Sequence, residues 1–235
     1  MDYFIFKGIE SSEYGVIVEN PVDIVSGAIR AEVQKVVGSS RVLHYTEGDD
    51  VMDPITIEMD CAMLRPEDDT IDELCAWLRG GGKLVTPAAP DFYYNAWVKN
   101  QIEFSKILRV RPDRRFVLTF ECEPYRYFYP ERKALKFDTP SRLGNPGTAP
   151  AEPLIRVIGS GDVTLMIGSS SLIIDDITDY VMIDCNAQMM YREDVNLGAK
   201  LTRVGDWPKI PPEGCMINWT GGITRLEITP RWRNY

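Results

Sequence analysis

Apolar and polar residues alternate along most of the chain, and a period of two predicts strands rather than helices. In "DYFIFKGI", Phe4 and Phe6 fall on one face and Tyr3, Ile5 and Lys7 on the other. Ile55, Ile57, Met59 and Cys61 alternate with Thr56, Glu58 and Asp60; Phe116, Leu118 and Phe120 alternate with Val117 and Thr119. Aromatic and β-branched residues suit a pleated, half-buried surface. One segment departs from this period. In "PEDDTIDELCAWLRGGGKL", Ile71, Leu74, Cys75 and Leu78 follow the spacing of one helical stripe. Thr70 is the expected N-cap, Glu73 completes a capping box, and Gly80, Gly81 and Gly82 end the helix.

Past residue 132 the texture changes. "DTPSRLGNPGTAPAEP" reads either as an interdomain linker or as a long loop entering a second domain. The runs "LIRVIG", "DVTLMIG", "SLIID", "DYVMIDCN" and "ITRLEITP" follow, as short strands every ten residues or so, punctuated by Gly, Asp and Asn. The expected fold is mainly β: residues 1–132 as a β-sandwich with one α-helix and a hairpin, and residues 133–235 as a β-sandwich or jelly roll.

The closing "GGITRLEITPRWRNY" mixes Arg225, Arg231 and Arg233 with Trp232 and Tyr235, the composition of a nucleic-acid-binding tail. It also fits a last strand, with Gly221–Gly222 as a hairpin turn, Ile223, Leu226 and Ile228 in a sheet, and Trp232 capping the core. Charge favours the strand. The chain carries a formal −9, with 15 Lys and Arg against 23 Asp and Glu in residues 1–132 and 11 against 12 in residues 133–235. No basic domain hides in the average, so gripping phosphate backbones is not the expected business of either half.

Five cysteines without a C-x-x-C pair suit a reducing compartment. The opening "MDYFIFKGIESS" does not read as a secretory signal, and no apolar run approaches the roughly 18 residues of a membrane span. His44 is the single histidine, and no nucleophile, zinc or phosphate-loop motif occurs, so an enzyme is not expected. "EGDDVMD", "PEDDTIDE" and "IIDDITDY" lack the spacing of a calcium loop; the second suits a helix N-terminus and the third a strand-to-strand turn. No metal or cofactor is expected. Arg109, Arg111, Arg114 and Arg115 gather around an expected Pro112–Asp113 turn, as solvated charge or as a charge-complementary contact with a neighbour. Tyr125, Tyr127, Phe128 and Tyr129 suggest packing at a domain boundary.

In order along the chain, "FIFKGIESSEYGVIV", "CAWLRGGGKLV", "YYNAWV" and "FVLTFECEPYRY" resemble the N-terminal domain of the distal tail protein family of long-tailed phages. "LGNPGTAPAEPLIRVIGSGDVTLMI", "DYVMIDCNAQMMY" and "WPKIPPEGCMINWTGGITRLEITPRWR" resemble the galectin-like C-terminal domain of its full-length members. The resemblance implies a virion structural protein, synthesised in the host cytoplasm and placed at the distal end of the tail. Six copies would close into a ring through the N-terminal domain, with the C-terminal domain projecting outward. Isolated rings would also be able to pair back to back. The implied partners are the tail tube protein, the tail-associated hub protein and baseplate or receptor-binding proteins. DNA would pass through the channel without specific binding, past an acidic domain that repels it. A closing head-to-tail interface makes a ring without catalytic residues.

"VVGSSRVLHYTEGDD" departs from the family, keeping only Gly38 and Arg41 of a Gly-Arg-Asp-Gly-like turn. Arg41, His44 and the arginines Arg109, Arg111, Arg114 and Arg115 are the candidate subunit or partner contacts. An alternative reading is carbohydrate binding by the second domain, with Trp207, Trp219 and Trp232 stacking on sugar rings.

Overall fold

In a computed structural model the described residues are 2–48, 51–64, 66, 68–108 and 111–235. They form two compact units, Met1–Tyr129 together with Tyr235, and Pro130–Asn234. Both are built almost wholly of antiparallel strands, and one α-helix occurs among the described residues.

The first unit contains β1 (Ile5–Phe6), β2 (Ile9–Glu10), β3 (Val16–Val18), β4 (Ala31–Lys35), β5 (Val42–Thr46) and β6 (Ile55–Met63). After α1 (Asp68–Trp77) come β7 (Gly81–Val85), β8 (Phe92–Val98), β9 (Ser105–Leu108), β10 (Arg111–Cys122) and β11 (Arg126–Phe128). The main sheet runs β2-β1-β7-β8-β10-β6-β3, with β9 added to β10 and β11 to β8. A backbone hydrogen bond from Val18 N to Asp2 O, 2.8 Å, brings β3 back beside the residues preceding β1. The sheet therefore curls on itself, and its inner face is the core: Phe4, Phe6, Ile57, Met59, Leu118 and Phe120 are all buried. These are the alternate residues the period of two selected. Tyr125 and Tyr127 are buried too; Tyr127 stacks on Tyr93 and Phe128 meets Phe92 edge-on, so this aromatic cluster packs on β8 within the first unit.

The helix closes this core with Leu74 and Trp77, and Leu78 just after it is buried there too. Trp77 stacks on Phe4 at 5.7 Å and on Tyr14 at 4.8 Å, and its indole N–H donates to Phe6 O at 3.1 Å. The Lys7 ammonium donates to the Trp77 carbonyl at 2.9 Å and to that of Arg79, satisfying acceptors that a helix end leaves open. Two local expectations are corrected. Thr70 sits inside the first turn rather than capping it, because the helix starts at Asp68. Only Gly80, with φ of 79°, ends the helix; Gly81 and Gly82 already belong to β7.

The second unit contains β12 (Leu135–Phe137), β13 (Ser141–Leu143), β14 (Leu154–Ile167), β15 (Ser170–Asp184) and β16 (Met189–Arg192). It continues with β17 (Val195–Asn196), β18 (Leu201–Val204), β19 (Cys215–Thr229) and β20 (Arg233–Asn234). Its sheet order is β12-β19-β14-β15-β16-β17, with β13 on β19 and β18 on β15. The expected series of short strands is corrected: three strands of 14, 15 and 15 residues run through the Gly and Asp positions read as turns. All three are irregular at one level. The β14–β15 register shifts between Gly161 and Val163, and the β14–β19 register shifts between Gly159 and Val163. Gly221–Gly222 is therefore a kink inside β19, not a hairpin turn, and Asp175–Asp179 is a kink inside β15, not a turn between strands. At the kink the backbones approach so closely that a Cβ on Gly222 would lie 2.1 Å from Ser160 O. Bulges of this kind bend long strands and curl a sheet.

The proline-rich stretch is a packed loop of this unit. Ala149 and Ala151 are fully buried, and the Asn145 amide donates to Ala149 O at 3.1 Å and Ile210 O at 2.9 Å.

Candidate functional site

Among the elements of the first unit whose burial is described, the least covered is the hairpin β4–β5. Among the described residues its strands pair with each other from Ala31↔Thr46 to Lys35↔Val42 and with no other strand. Every residue of both strands is exposed. The base is fixed: Arg30 Nε meets Asp53 Oδ1 at 2.9 Å and Nη1 meets Glu47 Oε2 at 3.4 Å, while Arg30 N donates to Val51 O at 2.9 Å. Beyond that base Val33, Val42, Leu43 and Tyr45 stand in solvent, and Val37 at the tip is 100% exposed. Alternation puts Val33, Lys35, Val42 and His44 on one face and Glu32, Gln34, Leu43 and Tyr45 on the other, so both faces are apolar in part. Large apolar side chains uncovered on both sides of a two-stranded ribbon mark an interaction surface.

Of the candidate contacts, Arg41 and His44 both lie here, exposed, on alternate faces of the hairpin. The arginine group does not join them. Arg115 is committed to Glu19, donating from Nε at 3.0 Å and Nη2 at 2.8 Å. Arg114 is half-buried, Arg111 is described only by its backbone pairing with Leu108, and Arg109 lies outside the described residues. The expected Pro112–Asp113 turn is corrected. Both residues lie within β10, where its register against β9 is irregular between Arg111 and Arg114. A bulge is where a strand tolerates proline, which has no N–H to donate.

The outer face of the main sheet holds a residue that sequence reasoning missed. Trp97 in β8 is 51% exposed, with Val117 of β10 at 43%. "YYNAWV" is apolar on both faces, so alternation alone gave no sign of which face was outside. A Cβ on Gly81, its cross-strand partner, would lie 2.3 Å from Trp97 Nε1, so the indole rests on the bare glycine backbone. Around it β6 and β10 present Glu58, Asp60 and Glu121.

In the second unit the positive charge of the closing segment is spent internally. Arg225 Nε meets Asp138 at 2.8 Å, Arg231 meets Asp184 at 2.7 Å, and Arg233, itself buried, meets Glu152 at 3.0 Å. Trp232 is buried at 6%, so its ring face is not offered to a sugar. Trp207 is half-buried with the Arg203 guanidinium 5.4 Å from its ring, and Trp219 is half-buried in β19. Among the described residues no group of three or more His, Cys, Asp and Glu converges as a metal site requires. Of the acidic runs, Glu47 and Asp53 serve Arg30, and Asp176 binds Lys200 Nζ at 2.9 Å.

No family model and no curated protein matches this sequence. Solved structures do match its fold. The Dit (gp 19.1) protein of phage SPP1, described as a paradigm of the hub adsorption apparatus in phages infecting Gram-positive hosts, superposes with a TM-score of 0.71 at 16% identity. The match covers 96% of this chain and 97% of that one. A chain of the phage p2 baseplate in its activated conformation with Sr gives 0.51 at 9% identity, covering 96% of each. At these identities the likeness belongs to the backbone. The chain has the fold of a distal tail protein along nearly its whole length, as the sequence resemblance implied.

Proposed function

We propose that this chain is a non-enzymatic structural protein of a phage tail, a distal hub placed in the virion. Copies of it close into a ring, six in the arrangement that the resemblance implies, joining the tail tube to baseplate or receptor-binding proteins. The observation that carries this reading is the fold shared with a hub adsorption protein over 96% of the chain, both units included. The first unit, residues 1–132 in the sequence reading, is the ring-former, and the second projects outward, as the resemblance implies.

The hairpin supports assembly. An isolated two-stranded ribbon is at best marginally stable in water, and this one adds exposed Val33, Val37 and Tyr45 to two unpaired edges. A head-to-tail contact between copies covers such an element and closes into a ring when the rotation allows.

Light scattering on a sizing column, with negative-stain images of the peak, tests the proposal. A six-fold ring, single or doubled, is the expected result. A monomer at every concentration overturns ring formation by this chain alone.

A further inference from the structure

We propose that residues 194–204 of the second unit form a strap that opens separately from the rest of that unit, hinged at Glu193 and Gly205 and locked by Lys200 on Asp176. Closed, the strap covers an edge of β15; open, it bares that edge to another strand. The device lies wholly in the second unit and does not depend on ring assembly.

Burial sets this segment apart. No residue from 193 to 206, all of them described, is buried, although β17 and β18 lie within the run. The chain is anchored on either side. Met190 before the strap is fully buried, and so is Ile210 after it, which exchanges backbone hydrogen bonds with Ala151 at 2.8 and 2.9 Å. A segment with little buried apolar surface and exposed ladder bonds opens at a lower cost than global unfolding.

Backbone conformation marks both ends. Glu193, with φ of 53°, and Gly205, with φ of 87°, are left-handed. A hinge is a few loop or element-terminal residues that absorb a large backbone change. Gly205 adopts such conformations freely, and Glu193, which carries a side chain, is strained in the closed strap.

What holds the strap closed is polar. β18 pairs with β15 from Ser171↔Val204 to Ile174↔Leu201. Pairing with β16 resumes only at Met182, so residues 175–181, all of them described, face no strand on that side. Lys200 takes over at this gap. Its ammonium donates to Asp176 O at 3.2 Å and to Asp176 Oδ2 at 2.9 Å, while the Asp176 N–H is held by Asp162 Oδ1 at 2.9 Å. One side chain thus fastens the strap to the strand it covers. That strand carries Leu172 and Ile174, both fully buried, and an uncovered strand edge is a template for pairing with another chain.

Hydrogen exchange of the full-length protein, read by mass spectrometry on its peptides, tests the strap. Amides of residues 195–204 are expected to exchange at least about tenfold faster than those of β14 and β19. K200M removes both bonds to Asp176 and is expected to quicken exchange of the strap about three- to tenfold, with β14 and β19 as in the wild type. Residues 171–174 quicken with the strap, because its opening takes away their partner strand. K200R keeps a cationic donor and is expected to stay within about twofold of the wild type. Strap amides as slow as those of β14 and β19 overturn the separate opening, and so does a K200M effect spread equally over all three. Strap exchange unchanged in K200M overturns the lock.

Discussion

Arg231 grips Asp184 with both arms of its guanidinium, Nη1 to Oδ1 at 2.7 Å and Nη2 to Oδ2 at 2.8 Å. The same Oδ1 accepts the backbone N–H groups of Asn186 and Ala187, each at 3.0 Å. One half-buried carboxylate thus ties the chain after β19 to the turn after β15. D184N keeps the shape but removes the charge, and is expected to lower the stability of the second unit by about 1–3 kcal/mol. Thermal or urea unfolding of the variant measures it.

The same contact sets a pH dependence. Burial by itself would raise the Asp184 pKa, but the Arg231 hydrogen bonds and charge, with the two backbone donors, outweigh it and leave the group below its ordinary value. A depressed folded-state pKa gives stability that is full above the unfolded value, about 3.9, and is lost as pH falls through the folded value. The melting temperature gap between wild type and D184N is therefore expected to hold from neutral pH down to about 4 and to narrow below it. A gap independent of pH would refute the assignment.

Gly222 is the position where the kink admits no side chain. G222A would set a methyl 2.1 Å from Ser160 O, whereas a Cβ on Gly144 meets nothing within 4 Å. G222A is expected to cost about 1–3 kcal/mol through displaced backbone, and G144A to stay near wild type. Denaturation curves of the two variants side by side decide this.

The helix is pinned by Trp77 between Phe4 and Tyr14. W77A empties that space and removes the indole hydrogen bond to the Phe6 carbonyl, so a loss of about 3–5 kcal/mol is expected. Hydrogen exchange of the α1 amides in the variant should quicken more than that of the second unit.

Thiol labelling separates the five cysteines. Burial pushes the Cys61 and Cys122 thiols up to about 12 and raises that of Cys185 as well, and Cys215 is also buried. Cys75 on α1 is the partly exposed thiol, raised by partial burial and then by Asp72. A maleimide is expected to reach Cys75 first and slowly in the native protein, and all five after denaturation.

Alternation alone determined much of this protein. It named the core faces of β1, β6 and β10 down to Phe4, Ile57 and Phe120, because a half-buried strand writes its orientation every second residue. The 3.6-residue stripe gave the helix, though not Trp77, which lies beside that stripe and is buried only because Phe4 and Tyr14 are there to meet it. Tertiary structure decided the rest. Gly and Asp supply left-handed backbone equally to a turn and to a bulge, so "GSGD", "DDITD" and "TGG" read as chain reversals until pairing across β14 made them kinks in continuous strands. Trp97 was hidden for a related reason: both faces of its strand are apolar, and only the curl of the sheet and the bare backbone of Gly81 turn it outward. The overall charge already favoured a closing strand over a binding tail for the last segment, but the partners of its arginines, Asp138, Asp184 and Glu152, are distant in the chain and adjacent only in the fold.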